Sequence, residues 1–98
     1  MSRIDLIKES EARVARITLE SAEVSPRHYN TEVIENVVCL TGQIKVIGHV
    51  SDSGIILMAG QSCEIAPKAH HNIVNMRNSK SEYLLIQKGK YDFVPVHS

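Results

Sequence analysis

The stretch Pro26–Gly42, "PRHYNTEVIENVVCLTG", decides how this chain is read. His28 and Asn30 sit two apart, and side chains at i and i+2 of an extended strand point to one face. Four residues then lead to Glu35, where the run "ENVVCL" begins. In a strand, Glu35, Val37 and Cys39 share a face, so the carboxylate keeps company with a valine and a cysteine. A carboxylate turned toward hydrocarbon needs a cation, a set of hydrogen bonds or a proton. The segment is therefore either half of a metal site or a hairpin that happens to carry a histidine.

A second segment, "GQSCEIAPKAHHNIVN" from Gly60 to Asn75, carries the other imidazole. Gly60 permits a tight turn, Pro67 bends the chain where strand pairing stops, and His71, Ile73 and Asn75 alternate onto one face. His70 then points the opposite way. The rest of the chain follows the same style. "ARVARITLE", "VIENVVCL", "QIKVIGHV", "GIILMA", "SCEIAP", "HNIVNM" and "EYLLIQ" are short apolar runs parted by turn formers, among them "TG", "SDSG", "AG", "PKAH" and "RNSKS". "SDSG" between two β-branched runs predicts a hairpin turn. So many short strands in so few residues predict an all-β sandwich or barrel. The polar first dozen residues read as a short helix or an added strand; the pattern leaves both open. We take residues 1–12 as an N-terminal segment and 13–98 as one domain.

The bulk numbers exclude several functions. Ninety-eight residues suffice for one core. Eleven basic and eleven acidic side chains give a formal net charge of +0, and the basic ones are scattered. Nucleic acid as a partner needs a positive field that is absent here. No apolar run approaches the ~20 residues that span a bilayer, and "MSRIDLIKESEARVARI" does not read as a signal peptide. The expectation is a cytoplasmic protein without a membrane partner. Cys39 and Cys63 are too few for a disulfide framework and read as reduced thiols among apolar neighbours.

At these histidine-bearing residues the chain resembles the cupin superfamily. The first cupin motif runs G, five residues, H-x-H, three or four residues, E, six residues, G. His28, Asn30, Glu35 and Gly42 fall in that register, with asparagine in place of the second histidine and the leading glycine missing. The second motif runs G, five residues, P-x-G-x-x-H, three residues, N. Gly60, His71 and Asn75 keep its outer spacing, while the proline moves one place to Pro67 and the inner glycine is absent. The likeness covers roughly residues 13–94, and the run from "GQSCEIAPKAHHNIVN" onward to "LLIQKGKYDF" looks especially like the cupin domain of bacterial mannose-6-phosphate isomerase/mannose-1-phosphate guanylyltransferase proteins. It implies a double-stranded β-helix, the cupin jelly roll, with a ligand cavity in its mouth. It also implies a divalent ion (iron, manganese, nickel or zinc) held by His28, Asn30, Glu35 and His71. Asn30 is a weaker donor than imidazole, yet two imidazoles and a carboxylate remain.

Simpler readings stand beside these. His28 is then a surface residue, His71 a core imidazole bonded to Asn75 or to backbone, and Glu35 the partner of Arg27. His49, His70 and His97 read as solvent-facing, Tyr83 as barrel lining or packing, and Glu32 and Asn36 as stand-in ligands should a bulge shift the register. The functional expectation is a metal-dependent cupin acting on a small polar metabolite such as a sugar or sugar phosphate, by isomerisation or, with iron, dioxygenation. Its alternative is a sugar-binding cupin without chemistry and with a degraded metal site. Either is expected to form a homodimer, because a small barrel gains stability by covering its edge strands.

Overall fold

The computed structural model describes residues 1–48 and 51–96. Its strands are β1 (Ser2–Glu9), β2 (Ala12–Leu19), β3 (His28–Tyr29), β4 (Ile34–Thr41), β5 (Gln43–Gly48), β6 (Ser51–Met58), β7 (Ser62–Ile65), β8 (His71–Asn75), β9 (Ser81–Lys88) and β10 (Val94–Pro95). They form two five-stranded antiparallel sheets, ordered β1-β2-β9-β4-β7 and β10-β3-β8-β5-β6. The all-β expectation holds, and among the described residues no helix is long and apolar enough to cross a membrane.

Period-two alternation builds the interior. Ala15, Ile17 and Leu19 of β2, Val37 and Cys39 of β4, Ile44 and Val46 of β5, Ile73 of β8, and Tyr83 and Leu85 of β9 all face inward and are buried. Complete burial of side chains such as Leu19 and Ile44 stabilises the fold by about 1.5–3 kcal/mol each. The packed hydrocarbon fills the middle and one end of the barrel. Polar side chains take the inward phase at the strand ends: Glu35 on β4, Gln87 on β9, His71 and Asn75 at either end of β8.

The first dozen residues turn out to supply a strand. β1 pairs along β2 as the outermost member of its sheet, with a bulge between Asp5 and Ile7. All of its residues are exposed, so its sequence carries no apolar period. One expectation is corrected. "SDSG" is not the turn: Ser51 lies opposite Gly48 and the strand continues through Gly54. β6 is an edge strand, and edge strands carry the polar residues that elsewhere mark turns. Both cysteines are free thiols, Cys39 buried and Cys63 half-buried, and burial pushes each thiol pKa up.

Candidate metal centre

Two cross-strand rows face each other at one end of the barrel. In the second sheet, Gly48, His71 and His28 are direct neighbours across β5, β8 and β3. In the first, Arg13, Gln87, Glu35 and Ile65 are neighbours across β2, β9, β4 and β7. Pairing register alone thus brings residues far apart in sequence to one level of the barrel. Gly48 is required there. Its φ is +147°, and a Cβ on it would sit 2.1 Å from the His70 carbonyl oxygen and 2.8 Å from the His71 Cα. Any side chain at 48 would push His71 aside.

Both imidazoles are oriented in the same way. His28 Nδ1–H donates to the Pro26 carbonyl at 2.9 Å, and His71 Nδ1–H donates to the Ala69 carbonyl at 2.9 Å. A carbonyl only accepts, so the proton on each Nδ1 is fixed and Nε2 is left to face the site. The two rings lie 4.5 Å apart between centroids, and His28 stacks on Phe93 at 4.4 Å.

Glu35 completes the group. It is 1% exposed, and its donor oxygens lie within 4.8 Å of ring nitrogens of His28 and His71. Opposite ligands of a first-row ion stand about 4.4 Å apart, so small side-chain shifts suffice for all three to reach one ion. Oε1 of Glu35 accepts from Gln87 Nε2 at 3.2 Å and from the amide of Asn30. Oε2 has no hydrogen-bond partner; its nearest charge is His71 Nε2 at 3.5 Å. Asn30, 3% exposed, likewise leaves its Oδ1 unpaired. Buried oxygens without partners are rare, because each costs about 1–3 kcal/mol in lost solvation. Two of them beside two Nε2 atoms fit a divalent cation.

The electrostatics agree. Burial raises the Glu35 pKa, but His71 and Gln87 outweigh it and the net shift is downward. Burial lowers that of His71, but Glu35 and the Ala69 carbonyl outweigh it and raise the net value. For His28, burial prevails over the Pro26 carbonyl and the pKa falls. Glu35 and His71 thus each favour the other's charged form.

The site opens into a cavity of about 180 Å3. Ile17, Ile73, Tyr83, Leu85 and Phe93 form apolar walls, and Arg3, Arg13, Gln87 and Asp92 add polar groups. Asp92 accepts from the Thr31 backbone N–H at 2.9 Å and from the Thr31 hydroxyl at 2.7 Å, which fastens the C-terminal segment beside the mouth. Those bonds hold its carboxyl below the usual range.

Of the residues singled out from sequence, His28, Asn30, Glu35 and His71 all line this cavity. Gly42 lies at the opposite end, with φ +79° and its α-carbon against Ser81. Glu35 meets His71 and not Arg27. Of the two simpler partners for His71, it has the backbone one, the Ala69 carbonyl, while the hydrogen bonds of Asn75 go to Leu19, Glu20, Ser79, Arg77 and Ser81. His70 is exposed, as expected, and stacks on Tyr29 at 4.8 Å; His49 and His97 lie outside the described residues. Asn36 faces outward and Glu32 is exposed. The β4 bulge falls between Cys39 and Thr41, beyond the site, so neither replaces Glu35. Lys68 occupies the place of the missing inner glycine and keeps a left-handed φ of 65°. Sequence reasoning missed Arg13, Gln87, Gly48 and Phe93. The inward phase of "ARVARITL" and "SEYLLIQK" runs through Arg13 and Gln87, and that alternation was the signal that could have found them.

No protein-family model matches the chain, and no curated protein matches it in sequence. Solved structures do. A double-stranded β-helix protein from Klebsiella pneumoniae superposes with a TM-score of 0.86 at 12% identity, over 99% of this chain and 84% of that one. A cupin-superfamily sugar phosphate isomerase from Silicibacter pomeroyi gives 0.70 at 21% identity, over 81% and 51%. An oxalate oxidase gives 0.77 at 18% identity, over 88% and 46%. This chain therefore spans about half the length of the latter two. Together with the two antiparallel sheets, these likenesses establish the fold: a double-stranded β-helix of the cupin kind.

Proposed function

We propose that the chain binds a divalent first-row metal through His28, Glu35 and His71, with Asn30 beside them, and acts on a small polar metabolite of the sugar or sugar phosphate class. The observation that carries this reading is the pair of anchored imidazoles aimed at a buried carboxylate whose Oε2 has no hydrogen-bond partner. Two imidazoles and a carboxylate suit iron(II), manganese, nickel or zinc. Once bound, such an ion polarises a carbonyl or a hydroxyl pair and lowers its pKa. The chain's own groups do the rest. The backbone carbonyls of Pro26 and Ala69 fix both rings, Gln87 and Asn30 hold Glu35, and the apolar walls exclude water from the substrate. The likenesses to a sugar phosphate isomerase and an oxalate oxidase support catalysis in such a barrel.

One feature favours binding without chemistry. Beyond the three candidate ligands, Asp92 is the carboxylate lining the cavity, and both its oxygens are engaged by Thr31. Among the described residues, no uncommitted carboxylate therefore lines the cavity to move a proton. Reconstitution separates the possibilities. Wild type incubated with Fe(II), Mn(II), Ni(II) or Zn(II) and desalted is expected to retain about one ion per chain, and His28→Ala and His71→Ala to retain far less. Wild type that stays metal-free would end the metalloprotein reading. Retained metal with no turnover of hydroxy-carbonyl substrates would leave the binding module.

A further inference from the structure

The row that carries Glu35 holds a cation, Arg13, that the candidate metal centre does not use. Arg13 Nε–H donates to Gln87 Oε1 at 2.6 Å, and Gln87 Nε2 donates onward to Glu35 Oε1 at 3.2 Å. The Arg13 guanidinium also lies 4.1 Å over the Tyr91 ring. One ring face and one glutamine oxygen therefore fix its plane. Among the described residues it has no carboxylate partner, whereas the other arginine lining the cavity, Arg3, is matched by Asp5 at 3.0 Å. The nearby negative charges are already committed: Asp5 to Arg3, Asp92 to Thr31, Glu35 to Asn30, Gln87 and His71. Burial and the neighbouring Arg3 both depress the Arg13 pKa, as expected where a cation is held in place without its counter-charge. Its terminal N–H groups are left for something that enters the cavity.

From this placement we infer that Arg13 is the anion-binding residue of the site, and that the ligand is a small organic anion whose carboxylate or phosphoryl group docks on the guanidinium while its other end meets Glu35 and the two imidazoles. The inference rests on the proposed metal-bearing pocket and names its substrate class. A planar guanidinium pairs two N–H groups with two oxygens of a carboxylate or phosphate, which neither water nor a neutral sugar reproduces. Arg13 and Glu35 stand two strand spacings apart, about 10 Å between backbones, with their side chains converging on one cavity. That reach suits a ligand of a few carbons. The cavity's about 180 Å3 falls below the roughly 300–1,000 Å3 typical of drug-sized ligand sites.

Calorimetric titration of zinc-loaded and metal-free protein tests this, with glycolate, oxalate and inorganic phosphate as anionic probes and ethylene glycol and glycerol as neutral ones. Anions are expected to bind and neutral probes not to. Arg13→Gln is expected to weaken anion binding about 10- to 100-fold, the range for a hydrogen-bonded charge, with zinc affinity within about threefold of wild type. Arg13→Lys keeps the charge without the fork and is expected to fall between; it carries the test should the glutamine variant fold poorly. Carboxylate binding without phosphate binding would assign an organic acid, and the converse a phosphorylated metabolite. Equal anion affinity in wild type and both variants, or neutral probes binding as tightly as anions, overturns the inference. Anion binding that depends on Arg13 in a protein that never retains zinc would overturn the metal reading and leave this one standing.

Discussion

Two buried asparagine environments within one barrel invite comparison. Asn75 closes the inner face of β8 at one end, 2% exposed. Its amide nitrogen donates to the Glu20 and Ser79 carbonyls at 2.8 Å and lies 3.3 Å from that of Leu19. Its Oδ1 accepts from Arg77 N–H at 3.0 Å and from the Ser81 hydroxyl at 2.6 Å. At the other end Asn30 and Glu35, just as buried, each keep an oxygen with no hydrogen-bond partner among the described residues. The difference separates a polar group that holds the chain together from polar groups held by the chain for something else. A satisfied network stabilises and specifies a core. An unsatisfied one costs stability and persists at sites whose ligand supplies the missing partner.

The comparison breaks most visibly at Asn75. Asn75→Ala takes away the partner of the Arg77 N–H and the Ser79 carbonyl and the shortest bond of the Ser81 hydroxyl, and it is expected to cost about 3 kcal/mol. That loss lowers the melting temperature by on the order of 15 °C in a domain of this size, with the metal affinity of the surviving folded protein unchanged. A drop of only a degree or two would mean that Asn75 is not the keystone its bonds suggest.

The opposite pattern is expected at Glu35. Glu35→Gln keeps the Oε1 that accepts from Asn30 and Gln87, and its new amide faces the His71 Nε2 as a donor. Neutralising a buried ion pair is often close to neutral for stability, so the metal-free variant should melt within about 1 kcal/mol of wild type. Wild type should gain about 2.7 kcal/mol from a metal present at 100 times its Kd, and the variant almost none of it. Melting curves with and without zinc read both quantities. A metal-free Glu35→Gln that unfolds as readily as Asn75→Ala would erase the distinction between the two ends.

Much of this was legible in the sequence, and the parts that were not have physical reasons. Alternation in "ENVVCL" placed Glu35 among inward residues, and its spacing from His28 and Asn30 located half the site. The fold class followed from short runs and turn formers. β1 was ambiguous because it buries neither face, and a strand without a buried face has no period to read. "SDSG" misled because an edge strand and a turn favour the same polar residues. Gly48 was invisible because its role is a close approach between β5 and β8, which is a matter of register. Arg13 and Gln87 share the inward phase of their strands, but what each does is set by a neighbour on another strand. The gap is thus one of cross-strand pairing, whereas the residues whose roles were set along a single strand were found.

The smallest effect is expected at Lys68. Its left-handed backbone costs a side-chain-bearing residue about 1–2 kcal/mol relative to glycine. Glycine gives back roughly 0.5–1 kcal/mol through the extra freedom of the unfolded chain. Lys68→Gly should therefore gain about 0.5 kcal/mol, a rise of a few degrees in melting temperature. The turn it occupies reaches the site, because Lys68 N–H donates to the Asn30 carbonyl at 2.6 Å. That bond is made by backbone, and glycine preserves it, so metal retention should not change. A stabilised variant with unchanged metal content would show that the turn's strain and the unpaired oxygens of Asn30 and Glu35 are separate costs. If the more relaxed turn also altered metal affinity, strain at Lys68 would be part of what positions Asn30, and the line between structural and functional polar groups would run through that loop.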